Sequence, residues 1–257
     1  MQADLQQAID KGLDRDGSLG LAFHHAIQDM SRADMLEPAT KLSHLFYTPD
    51  QVSGFRKIRH ETMALAIRTI FGDLSRNGLI LSETHPDRGK DIRRNKEWVN
   101  HGWEKAFEFC EVLEEVFISQ QNDYGVMIIA EMVAHRYGDL SLVGFDYEEK
   151  MESLYRKAAD LAAKIECQKQ MFSPWYWGAF YFMKLGDNDK SMEWFRKYVV
   201  TANQYMQDRQ PSYREMVAHS LRAVKKILPR KEWKRYRRWF KGLVTNPQMI
   251  KAFGTVK

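Results

Sequence analysis

Thirty residues in the second half of the chain constrain its fold more than any others. The run FSPWYWGAFYFMKLGDNDKSMEWFRKYVVT, Phe172 to Thr201, combines a serine-proline pair, a row of large rings and a glycine turn. Ser173 can cap free backbone N–H groups, and Pro174 suits a first helical position, where no donor is missed. Trp175, Ala179, Phe182 and Leu185 follow at steps of four and three, which puts them on one face of a helix. Gly186-Asp187-Asn188 breaks that helix, and a second restarts with Met192, Phe195 and Val199 on its inner side. Two helices joined so tightly must pack antiparallel and bury their apolar faces, which predicts an all-α fold built from helix pairs.

Trp175, Ala179, Phe182, Gly186, Ser191 and Phe195 reproduce a large, small, large, glycine, small, large order. In that order the hairpin resembles a tetratricopeptide repeat. Tyr198 stands where that family prefers a small residue, and no proline closes the unit near Asn203. The resemblance implies a TPR-like α-solenoid, irregular here, that binds a protein or peptide partner. Met151, Tyr155 and Ala158 repeat the spacing of Ser191, Phe195 and Tyr198, a faint second copy.

Charge is distributed unevenly. Residues 101–150 carry 3 basic and 11 acidic side chains, whereas residues 201–257 carry 14 basic and 3 acidic. The net charge of +5 therefore conceals a local basic end, a stronger pointer to an anionic partner than the total alone. Cys110 and Cys167 are far apart with no CxxC, so neither a disulfide framework nor a zinc ribbon is indicated, and a reducing, cytoplasmic setting is expected. The start of the chain is polar, without a signal-peptide pattern, and the most apolar window, 125–134, is short for a bilayer and contains Glu131.

In chain order, the apolar pattern predicts helices over 4–13 and 21–35, the second stopping before Pro38. Thr48-Pro49-Asp50-Gln51 reads as a capping box opening a helix that runs to Leu74. A polar break follows at 83–91. Its tripeptide His85-Pro86-Asp87 also occurs in the loop of J-domains, but Asn77-Gly78 has already ended the preceding helix, so an ordinary proline turn is expected. A helix over 98–120 places Trp103, Phe107, Cys110, Leu113 and Phe117 inward and a row of glutamates outward. The segment 126–137, apolar nearly all round, predicts the most buried helix, with a connection bracketed by Gly138 and Gly144. Helices over 146–170, 213–228 and 230–244 complete the set. The expected regions are an irregular N-terminal one, 1–120, a TPR-like one, 121–245, and a tail, 246–257, docked only through Met249, Ile250 and Phe253.

The search for catalytic chemistry yields no candidate. HExxH, GxSxG, GxGxxG and the P-loop pattern are absent, and His24-His25 point to different helix faces. Glu131 and His135, four residues apart, read as helix neighbours sharing a hydrogen bond. No cofactor or metal is expected, and the role indicated is non-catalytic. The remaining signal is LPRKEWKRYRRWFKGLV, Leu228 to Val244. Pro229 starts a helix with Trp233, Tyr236, Phe240 and Leu243 on one face and Arg230, Lys231, Lys234, Arg235, Arg237, Arg238 and Lys241 over the remainder. It can be the last helix of a solenoid. It can also be a nucleic-acid surface on which an exposed Trp239 stacks against a base, helped by Arg88, Arg93 and Arg94. A membrane role would need its apolar face free, which an attached domain disfavours.

Overall fold

A computed structural model describes residues 18–45, 47–49, 56–58, 66–67, 70–71, 96–142, 144–167, 171–205 and 211–256. The chain divides into two compact units, Met1–Phe145 and Asp146–Lys257. Apart from one short ladder and the connecting turns, the described residues are helical. The helix expected over 4–13, the break at 83–91 and Arg88, Arg93 and Arg94 lie outside them.

In the first unit, α1 (Ser18–Gln28) and α2 (Arg32–Leu45) replace the single helix expected over 21–35. Ser31 separates them. Its hydroxyl donates to the Asp34 carboxylate at 2.5 Å, and the backbone N–H of Asp34 returns to that hydroxyl at 3.3 Å. This reciprocal cap starts a new helix, which then continues through Pro38 although the ring removes the amide that Asp34's carbonyl would take. A second correction concerns Thr48-Pro49. These residues lie in β1 (Tyr47–Pro49), paired antiparallel with β2 (Arg56–Ile58), with Tyr47 opposite Ile58 and Pro49 opposite Arg56. The sequence cannot separate the two outcomes locally, because neither a helix start nor the end of an edge strand needs the N–H that proline lacks.

Helix α3 (Lys96–Ser119) is the common support of this unit: α1, α2 and α4 (Asp123–Leu142) all pack on it. Its inward row is as expected for Trp103, Cys110, Leu113 and Phe117, all buried, while Phe107 is half-buried. Ala106, Phe109, Val112 and Val116 are buried as well, because a helix contacted from several sides hides more than one stripe. Phe23 meets Phe109 edge-on at 5.4 Å, Phe71 meets Trp103 at 5.2 Å, and Phe107 stacks on Tyr137 at 4.2 Å. Such geometries add about 0.5–1.5 kcal/mol each to the burial of the rings. His24 is buried with Nδ1 2.7 Å from the Ile70 carbonyl oxygen, and His25 is exposed.

Helix α4 is buried at 15 of its 20 positions, as its all-round apolar pattern predicts. It does not end near Gly138 but continues to Leu142, with Gly138 buried inside it. It also buries Glu131, Asp139 and Arg136, the last two as an ion pair at 3.3 Å.

The second unit contains α5 (Glu148–Lys164), α6 (Ser173–Leu185), α7 (Asn188–Tyr205), α8 (Pro211–Ile227), α9 (Arg230–Leu243) and α10 (Pro247–Gly254). The α6–α7 hairpin is its most closely packed pair. Ser173 is not the cap of α6: Phe172 holds that position, Ser173 is already helical and Pro174 is second. The glycine stop is as read. Gly186 has φ 90°, its N–H bonds the Met183 carbonyl at 3.2 Å, and the N–H of Asp187 bonds the Phe182 carbonyl at 3.0 Å. Asp187 then receives the N–H of Lys190 at 3.0 Å and opens α7.

Candidate nucleic-acid interface

The residues that carry the repeat pattern do structural work in the hairpin. Ala179, Phe182, Ser191 and Phe195 are buried, Trp175 is half-buried, and Gly186 lies in the turn. Ser191 donates its hydroxyl to the Ala179 carbonyl at 2.9 Å, which explains a small hydroxylic residue at a crossing of two helices. Trp194, absent from the inward set read from sequence, is fully buried and touches Tyr155, Trp175 and Phe182 edge-on. Its ring lies so close to Gly178 that a Cβ there would come within 2.3 Å of it. Glycine is therefore required at 178 for close approach, not for its backbone freedom.

Tyr198, the departure from the repeat pattern, reaches away from the hairpin. Its buried ring contacts Phe172 at 6.1 Å and Tyr176 at 5.4 Å. Burial first, then the neighbouring hydroxyls of Tyr176 and Tyr236, hold its phenol well above the ordinary tyrosine range. Tyr236 belongs to α9, so the large residue fills the space between α7 and the basic helix. Asn203, where a closing proline is missing, also ties the same elements. Its amide oxygen accepts the N–H groups of Thr245 and Asn246 at 2.8 and 3.0 Å, and its amide nitrogen donates to the Leu243 carbonyl at 3.3 Å.

Helix α9 is thereby held against α7 at its middle, through Tyr236, and just beyond its C-terminal end, through Asn203. Tyr236 and Phe240 are buried, and Trp233 and Leu243 are half-buried. Phe240 stacks on Phe253 of α10 at 5.2 Å. The tail docks as a helix through Met249 and Phe253, as expected, and through buried Ala252, while Ile250, also expected to dock, is exposed. Burial pushes the Tyr236 phenol far above its usual range.

The outer side of α9 holds Arg230, Lys231, Lys234, Arg235, Arg237, Arg238 and Lys241, all exposed. Glu232 is the one carboxylate of the helix. Between Arg230 and Lys241 lie about 16 Å of helix axis. Arg237 and Lys241 lie over the Phe253 ring at 5.1 and 5.4 Å, which restrains their stems and leaves their charge at the surface. Trp239 is half-buried, not exposed: its ring is 5.1 Å from that of Tyr236, and Arg196 of α7 lies over it at 6.0 Å.

One further concavity lies along α8. A cleft of about 580 Å³ is lined by Arg214, Glu215, Ala218, His219, Arg222 and Thr255. Nδ1 of His219 lies 2.7 Å from the Tyr176 hydroxyl, which orients the imidazole from behind. Among the described residues no group of three or more histidine, cysteine or carboxylate side chains is placed to hold a metal ion, and no helix is long and apolar enough to cross a membrane. Burial raises the Cys110 thiol far out of the reactive range. Comparison with protein-family models, curated proteins and solved structures finds no match to the chain.

Proposed function

We propose that the chain is a non-catalytic helical adaptor and that nucleic acid docks on its basic C-terminal helix. The supporting observation is the division of α9 into a fixed inner face, with Tyr236 and Phe240 buried, and an outer face of seven exposed cations accompanied by one carboxylate. A helix serving only as a cap needs its inner face; it does not need that density of like charge, which is self-repelling without an anionic partner. Cations opposite phosphates bind by releasing counterions, so the interaction weakens steeply as salt rises. Purification in low salt is expected to yield protein with co-purifying nucleic acid that high salt or nuclease removes. Protein free of nucleic acid at every salt concentration contradicts the proposal.

A protein or peptide partner is the second reading. It is supported by the repeat-like order of Trp175 to Phe195 and by the succession in which α5 packs on α6, α6 on α7, and both α6 and α7 on α8. Its test is a complex that survives nuclease and high salt together, since a protein held in an apolar groove is not released by either.

A further inference from the structure

We infer that the basic surface reads the phosphate backbone and not the bases, extends from α9 onto the last turns of α8, and thus takes duplex nucleic acid irrespective of sequence. The inference rests on the nucleic-acid reading above. Proteins that prefer single strands present exposed rings on which successive bases stack. Every ring of α9 is instead engaged within the fold. Tyr236 and Phe240 are buried, Trp233 lies nearly parallel to Tyr236 at 6.1 Å and 21°, and Trp239 is held between Tyr236 and Arg196. Trp239, the ring that suggested a stacking platform, is half-buried against Tyr236 and Arg196.

The cations are not confined to α9. Arg222, Lys225 and Lys226 are exposed near the end of α8, and only Ile227, Leu228 and Pro229 separate Lys226 from Arg230. From Arg222 to Lys241 there are ten exposed basic residues and one acidic one, Glu232. A row of charge without base readout gains most from the partner with the highest charge density. Duplex DNA, with one charge per about 1.7 Å of axis, exceeds a single strand in that respect.

The test is fluorescence anisotropy on the full chain with two duplexes of unrelated sequence and one oligothymidylate of equal length, between about 50 and 200 mM salt. Both duplexes are expected to bind equally and more tightly than the single strand. The R222Q/K226Q variant is expected to flatten the log–log salt slope on duplex by about two units. Trp239→Phe is expected to leave single-strand binding unchanged. Tighter binding of the single strand, discrimination between the duplexes, or an unaltered slope in the double variant would each overturn the inference while leaving nucleic-acid binding in place. Absence of binding to any of the three probes at low salt would remove both.

Discussion

Gly178 illustrates how a single atom sets the geometry of the central hairpin. A methyl group there would lie 2.3 Å from the Trp194 ring, which is itself packed by Tyr155, Trp175 and Phe182 and cannot yield freely. Gly178→Ala is expected to cost about 1–3 kcal/mol despite the better helix propensity of alanine, with a matching fall in thermal midpoint. An unchanged midpoint would show that the ring can shift. Phe195→Ala, which opens a fully buried site, is expected to cost about 3–5 kcal/mol in the same assay, and a variant within a degree of wild type would contradict its place in the core. Phe195 was legible from its spacing; Trp194, Tyr198 and Tyr176 were not. Rings with a polar tip occur in cores and at surfaces alike, and α7 is packed from more than one side, so its buried arc is wider than the stripe a period of 3.6 picks out.

Between elements, the clearest polar link joins α5 to α7. Lys190 donates to the Glu152 carboxylate at 2.9 Å and Arg156 donates to it at 2.6 Å. Partial burial pulls the Glu152 carboxyl up, and the hydrogen bonds from Lys190 and Arg156 outweigh it, so its pKa lies below the ordinary glutamate value. A depressed pKa stabilises the fold at pH values above that ordinary value, and the contribution is lost as pH falls through the folded-state value. Glu152→Gln is therefore expected to lower stability by about 0.5–1 kcal/mol near neutral pH, a figure kept small because Lys190 is well exposed. The difference from wild type should close as acid protonates the carboxyl; a difference that persists unchanged in acid would assign it to packing instead. Helix stops were legible where the backbone needs a particular residue, as at Gly186. They were misplaced at Pro38 and Gly138, where tertiary packing carries a helix through a residue that breaks isolated ones.

At the scale of the molecule, the all-helical class was legible because apolar residues recur at helical spacing through most of the chain. The short β1–β2 ladder was not, since three-residue strands leave no period to detect. The basic helix was legible as a composition, and Tyr236 and Phe240 were legible as its inner face, whereas Trp239 was misjudged: a tryptophan on a charged helix reads as exposed until Tyr236 and Arg196 are placed beside it. The central claim is that the outer face of α9 is a phosphate-binding surface, and the salt dependence of duplex affinity tests it most directly. Replacing Arg235, Arg237, Arg238 and Lys241 together by glutamine removes charge from exposed positions and should leave the helical circular dichroism spectrum intact, with only a small fall in thermal midpoint from the two lost contacts with Phe253. The account predicts that this variant loses most of its duplex affinity and that the slope of log affinity against log salt flattens by about three to four units. A normally folded variant with the wild-type affinity and slope would contradict it.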